Sequence, residues 1–255
     1  MPDSHNISTL GIVFALDIET HGLRRALSHA KRLRTADPRQ IAWQVGAIRV
    51  MIEISGMGRE RCEESTRRLI NQGARCMISA GLAASLDTKP RIGDVVVVDS
   101  VALLGSDNAP LQCNPSLIAT APPSERLSYT IWRSDLVTSD SLISQASSKA
   151  EIYRNTGMAA LDMESYALAE TCELLHIPFV VIKGISDTAD QDLPDEVEAL
   201  AASETWVKQY GILLKRPQLW LKLWQLRGNA LLAADNLGDV IGMMLLRMTT
   251  TPQDY

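Results

Sequence analysis

No two of the four cysteines, Cys62, Cys76, Cys113 and Cys172, form a C-x-x-C pair or have a spaced histidine partner. That argues against a zinc site or a disulfide framework and for buried, reduced thiols. There is no metal motif, internal repeat or low-complexity linker. Basic charge is not in excess either: 25 Lys and Arg against 30 Asp and Glu leave a net charge of −5. The clustered basic surface of a general nucleic-acid binder is therefore not expected, and solubility is the plainer meaning of that charge. No uninterrupted apolar run approaches the roughly 20 residues that span a bilayer. The polar start MPDSHNIST lacks the basic-then-apolar pattern of a secretory signal, so a cytoplasmic protein is expected. Neither G-x-G-x-x-G nor a Walker loop occurs, which removes the usual pointers to a dinucleotide or a nucleoside triphosphate.

What is present is an ordinary globular composition, 46% hydrophobic and 22% charged, in a chain of 255 residues. One compact α/β domain is the expectation at that length. The stretch over residues 158–190, MAALDMESYALAETCELLHIPFVVIKGISDTAD, reads as a short apolar strand, a helix and a second apolar strand. Glu164 and Asp187 fall at the carboxyl ends of those two strands, the edge where ligands bind in open α/β sheets.

Taken in order, residues 10–16 (LGIVFAL) have strand length and composition, and a helical pattern follows over residues 18–34 with Asp17 as its N-cap. Glu19 has two readings there: a carboxylate favoured by the helix dipole in the first turn, or a functional group just past a strand end. Residues 40–55 alternate as a hairpin or two strands, broken by Ser55-Gly56-Met57-Gly58, and residues 59–72 form an amphipathic helix. Residues 75–80 read as a buried strand entering a turn, Gly81 to Leu86, whose small residues permit close backbone approach. The valines at 95–98 require a buried strand. Residues 105–128, rich in Pro, Ser and Asn, read as a long loop near the pocket mouth or at a subunit interface. A strand over 129–137 and a helix over 142–154 follow, with Asp140 as an N-cap. Residues 195–214 and 217–246 read as helices. In the last, Trp220, Leu223, Trp224 and Leu231 share a face, which either packs on the body or a second subunit or rests weakly on a membrane surface.

Alternating strands and helices imply a mixed sheet covered on both faces. A carboxylate that accepts two hydrogen bonds suits a vicinal diol, so Glu164 is a candidate ribose ligand. Breaking an N-glycosidic bond further requires a proton for the departing base and an activated nucleophile, jobs that two carboxyls in unlike environments divide. Asp187, next to Ser186 and after an apolar run, suits the acid because burial raises a carboxyl pKa. Glu19 is then the candidate base.

The string LDMESYALAETCELLHIPFVVIKGISDTAD resembles the signature of the nucleoside phosphorylase superfamily, most like its methylthioadenosine/S-adenosylhomocysteine nucleosidase branch. GIVFALDIE, SGMG at Ser55, SAGLAASL at Ser79, IGDVVVVD at Ile92 and TSDSLI at Thr138 add matches in order. The resemblance implies a three-layer αβα sandwich with a central mixed β-sheet, spanning residues 1–214. It implies Met163 and Glu164 at the ribose, Asp187 as acid at purine N7, Ser186 supporting it and Glu19 activating water. Leu142 and Ile143 fall at the base, with Leu142 where a stacking aromatic is usual. Gly81 and Leu82 fall beside the nucleophile, with Leu82 where the family has a serine and Ala84 where it has a glycine. With Ser79 and Leu82 replacing the arginine and serine that hold phosphate in phosphorylases, hydrolysis is favoured. The tail over residues 215–255 is similar to extensions in the hopanoid-associated phosphorylase-like branch and reads as a helical extension packed on the domain or a partner. The implied protein is a nucleosidase for a 5′-modified adenine nucleoside, without metal or cofactor, acting as a homodimer or higher homo-oligomer. The alternatives are a phosphorylase of a purine or lipid-linked adenosyl nucleoside, and a nucleoside-binding protein impaired by Leu82 and Ala84.

Overall fold

The computed structural model describes residues 9–193 and 218–250. The strands are β1 (Thr9–Phe14), β2 (Lys31–Leu33), β3 (Gln40–Val45), β4 (Ile48–Ile54), β5 (Cys76–Ser85), β6 (Val95–Leu103), β7 (Leu111–Gln112), β8 (Ile131–Thr138), β9 (Ala160–Asp162) and β10 (Phe179–Asp187). The helices are α1 (His21–Ala26), α2 (Arg59–Asn71), α3 (Pro115–Ile118), α4 (Ala146–Thr156), α5 (Ser165–Leu174) and α6 (Gln218–Thr250), with 3₁₀ turns at Asp17–Thr20 and Ser124–Arg126.

All ten strands belong to one mixed sheet. β1 pairs in parallel with β4 and β5, β5 in parallel with β10, and β10 antiparallel with β6. β6, β8 and β9 continue in parallel, and β9 returns antiparallel to β5. The circuit β5–β10–β6–β8–β9 is therefore closed, and a β2–β3–β4–β1 wing extends from β5. α2 and α5 pack together on one face, and α1 and α6 on the other. Val95 to Val98 in β6 and Val180 to Ile182 in β10 have no exposed surface, as strands covered on both faces demand. All four cysteines are buried and free of disulfides.

Several local expectations change. The helical pattern over 18–34 ends at Ala26, and Lys31–Leu33 pairs with β3 as an edge strand. Asp17 is not an N-cap: Leu16 precedes the 3₁₀ turn, and Asp17 bonds Arg24 at 2.5 Å. The small residues after Ala80 do not turn but continue β5 to Ser85, because β10 and β9 pair with them as far as Ala84 and Ser85. α4 starts at Ala146, leaving Leu142 and Ile143 on the loop before it. Asp140 is exposed and pairs with Arg59 instead of capping a helix. Within the expected loop 105–128, β7 pairs with β6, and α3 is capped by Asn114, whose side chain accepts from the N–H groups of Ser116 and Leu117. The helix expected over 195–214 lies outside the described residues.

By length and composition, residues 226–250 of α6 suffice to cross a membrane. Its apolar stripe is nevertheless in the protein core: Ala233, Ala234, Leu237, Val240, Ile241, Met244 and Leu245 are fully buried. Close helix crossing explains the small residues. A Cβ on Gly22 would lie 2.3 Å from the Ala234 carbonyl oxygen, and one on Gly238 would lie 2.1 Å from backbone atoms of Gly22 and Leu23. α1 is thereby held against α6, and the preceding 3₁₀ turn against α6 and the ends of β1 and β5. Asn236 adds a bond from Nδ2 to the Gly93 carbonyl at 2.7 Å.

Candidate active site

Glu19, Glu164 and Asp187, far apart in sequence, line one pocket with Met163, Ser186, Leu142, Ile143 and Leu82. Its walls are mostly apolar: Ala15, Leu16, Met57, Ala83, Ala84, Leu161 and Leu193 complete much of the lining. No Arg or Lys lines it among the described residues. Gly81 is buried and is not part of the lining.

Glu19 is carried by the 3₁₀ turn that follows β1 after Ala15 and Leu16. Its Oε2 accepts the Leu16 N–H at 2.8 Å and its Oε1 accepts the Leu82 N–H at 2.9 Å. Gly81 makes this approach possible: its φ is +149°, and a Cβ there would lie 2.9 Å from Glu19 Oε1. Burial raises the Glu19 pKa, opposed by the Lys183 charge and by the Leu82, Leu16 and Ala15 N–H groups.

Glu164 immediately precedes α5, and its Oε1 accepts the Gly58 N–H at 2.9 Å. The Ser55–Gly58 turn thus supplies a backbone donor to the carboxylate instead of a cradle for an anion. Burial, then the Asp162 charge, pushes the Glu164 pKa up to about 7, against the pull of Lys183 and the Gly58 N–H.

Beneath these two lies a buried network that the sequence reading missed. Lys183 Nζ pairs with Asp162 Oδ2 at 2.9 Å, both almost without exposure. Asp162 also accepts from Thr138 Oγ1 at 2.7 Å and from Ser165 Oγ at 2.6 Å. Burial disfavours the Lys183 ammonium, but Asp162, Glu164 and Glu19 outweigh it and raise its pKa. A lysine inside the apolar run VVIKGI is the signal that was available, since a buried charge must be paired. Ser79 points into this network, with its Oγ 2.9 Å from Ser165 Oγ, and does not line the pocket.

Asp187 ends β10 and is 6% exposed, so the expected burial is there. The surroundings differ from an apolar wall: Lys149 Nζ donates to Oδ2 at 2.5 Å, and Ser186 Oγ donates to Oδ1 at 3.0 Å. The position of Lys149 three residues before buried Ile152 marks it as inward-facing on α4. The long segment 105–128 contributes nothing to this pocket; Leu127 and Ser128 instead line a separate cavity beside α6.

The arrangement offers a carboxylate for a diol, a second carboxylate anchored by two backbone amides, and a third paired with a cation, all facing an apolar cleft. Among the described residues no group of three His, Cys, Asp or Glu side chains is arranged to hold a metal ion.

A model of the phosphorylase superfamily matches residues 9–216. A 5′-methylthioadenosine/S-adenosylhomocysteine nucleosidase of Mycobacterium bovis is 26% identical over 222 residues, covering 72% of this chain and 87% of that protein. The crystal structure of the nucleosidase of that name from Colwellia psychrerythraea, in complex with adenine, has a TM-score of 0.74 at 23% identity and covers 94% of this chain and 96% of its own. Futalosine hydrolase of Helicobacter pylori has a TM-score of 0.71 at 15% identity, covering 93% and 97%. These two structural likenesses concern the fold.

Proposed function

The chain belongs to the phosphorylase superfamily, and from that premise we propose that it is a nucleosidase hydrolysing the N-glycosidic bond of a 5′-modified adenine nucleoside of the methylthioadenosine or adenosylhomocysteine type. The observation that carries this is the convergence of Glu19, Glu164 and Asp187 on one apolar pocket. The nucleosidase names of the relatives support it.

In this reading the ionised Glu164 accepts the two hydroxyls of the ribose, with Met163 beside it. Asp187 passes a proton to N7 of the base as the C1′–N bond breaks and its electron pair leaves with the purine. Glu19 takes a proton from the water that adds to C1′ as that carbon gains oxocarbenium character. Leu142 and Ile143 wall the base by apolar contact, without aromatic stacking. An apolar 5′ substituent suits the remaining lining.

Two observations favour water over phosphate. The described lining has no Arg or Lys to meet a dianion, and Ser79 is bonded to Ser165. Anchoring of Glu19 by the backbone N–H of Leu82 also speaks against impairment through that leucine. The same reading has the enzyme working in the cytoplasm as a homodimer or larger homo-oligomer. Four free, buried thiols accord with a reducing compartment, and light scattering of the purified chain checks the assembly.

Adenine release from methylthioadenosine and adenosylhomocysteine tests the function, with Asp187→Asn beside the natural chain. Release by the natural chain and a loss of ~10²–10⁴ in the variant is the expected result. Equal turnover by both would remove Asp187 from the chemistry, and no release of adenine by the natural chain would refute the function.

A further inference from the structure

Lys149 is a fully buried cation with no part in the steps above. Its Nζ donates to three acceptors, all on the end of β10 and the segment after it: Asp187 Oδ2 at 2.5 Å, the Thr188 carbonyl at 3.0 Å and the Gln191 carbonyl at 3.1 Å. Two more bonds stitch the same pieces together, from the Ala146 N–H to Asp192 Oδ1 at 2.7 Å and from the Leu193 N–H to the Ser144 carbonyl at 2.8 Å. All three ammonium protons thus have an acceptor, and they brace a carboxylate and the loop that carries it.

An ammonium only donates. The oxygen it meets therefore cannot carry a carboxyl proton directed at it, so a proton on Asp187 belongs on Oδ1. That oxygen is 3.0 Å from Ser186 Oγ, a hydroxyl able to donate or accept. As the Oδ1 proton passes to the base nitrogen and the C1′–N electron pair leaves with the purine, negative charge returns to Asp187. It appears 2.5 Å from a fixed cation. A charge that grows toward a preorganised partner is stabilised more in the transition state than before it.

We propose that Lys149 is a positioning residue: it dictates which Asp187 oxygen delivers the proton and stabilises the carboxylate that delivery leaves behind. This rests on the reading of Asp187 as the acid. α4, which carries Lys149, is preceded by the loop of Leu142 and Ile143, so the acid and the base wall are held as one unit.

Glu19, Glu164 and Asp162 share the pocket with Asp187, the exposed Asp190 feels the Lys149 charge, and Asp192 accepts the Ala146 N–H at the start of α4. The other buried cation beside the pocket, Lys183, is paired with Asp162, so Lys149 is the cation in contact with Asp187.

Lys149→Met, Lys149→Gln and Lys149→Arg are compared with Asp187→Asn in the full chain, with methylthioadenosine as substrate and kcat, KM and the pH profile as readouts. Loss of the charge in the Met and Gln variants lowers kcat by ~10–10³-fold with KM within about threefold, and moves the alkaline limb of the kcat profile to higher pH. Lys149→Arg recovers most of the rate. Lys149→Gln keeps a hydrogen-bond donor and serves if the Met variant does not fold. Full activity with an unmoved profile in Lys149→Gln overturns the proposal, as does a loss that lies wholly in KM. Silent Lys149 variants beside an inactive Asp187→Asn would defeat this inference alone. An active Asp187→Asn would defeat the reading of the acid beneath it.

Discussion

The backbone N–H of Leu82 donates to Oε1 of Glu19 at 2.9 Å, across the bare Cα of Gly81. A strand amide therefore holds the carboxylate, and the side chain at position 82 is not needed for that bond. Gly81→Ala puts a methyl 2.9 Å from Oε1 in a backbone conformation that favours glycine. Displacing the group by a fraction of an ångström lowers kcat by about 10–10²-fold. Leu82→Ser keeps the amide and stays within about threefold of the natural rate. Steady-state kinetics on the two variants checks the contrast.

Glu19→Gln keeps the shape of the side chain and removes its basicity. If Glu19 takes the proton from water, kcat falls by ~10²–10⁴ while a non-hydrolysable nucleoside analogue binds with affinity close to the natural chain's. Calorimetric titration alongside turnover separates the two. Retained turnover would take Glu19 out of the mechanism.

Glu164 ties pH to both binding and stability. Its pKa of about 7 leaves the carboxyl protonated, and a poor diol acceptor, on the acid side. Affinity for the nucleoside analogue therefore weakens as pH falls through about 7. For stability the sign is opposite. A carboxyl whose pKa is raised by folding binds more protons folded than unfolded, so its contribution is present in acid and lost as pH rises through the folded value. Glu164→Gln, which removes a partly buried charge beside Asp162, stabilises the fold at pH 8 by on the order of 1–3 kcal/mol and much less at pH 5. Thermal melts at the two pH values decide it; equal shifts at both would show that charge is not the cause.

The crossing of α1 and α6 has no room for a methyl. Gly238→Ala must separate the helices, since its Cβ would lie 2.1 Å from the Gly22–Leu23 backbone. The cost is about 1–3 kcal/mol. The 3₁₀ turn bearing Glu19 rests on the same helix pair. Urea unfolding measures the first effect and kcat the second; a variant as stable as the natural chain would mean the crossing adjusts freely.

The acids of the site were legible because each stands at the end of an apolar run, where alternation stops and a strand meets a helix. Glu164 and Asp187 needed only that pattern, and Glu19 shared it at the end of β1. Lys149 and Lys183 were not found, for different physical reasons. Lys183 interrupts a run that was read only for its apolar length, and Lys149 sits on a helix whose inward face depends on what packs there. Gly81 was read as the start of a turn because small residues favour turns, whereas pairing with β10 and β9 keeps the strand extended to Ser85. Lys31–Leu33 likewise has helical composition and becomes a strand because β3 offers an open edge. In α6 the side chains of Trp220, Leu223 and Trp224, on the face read as an interface, lie outside those described. The described contacts of this helix are made by small and aliphatic residues further along, at a spacing that Gly22 allows.

The central claim is that water attacks the glycosidic carbon of an adenine nucleoside. It is tested most directly by incubating the purified chain with methylthioadenosine in phosphate-free buffer and again with added phosphate, following adenine and the sugar product together. Adenine with free methylthioribose at the same rate in both buffers is the predicted result. Adenine release that requires phosphate and yields methylthioribose 1-phosphate would contradict it.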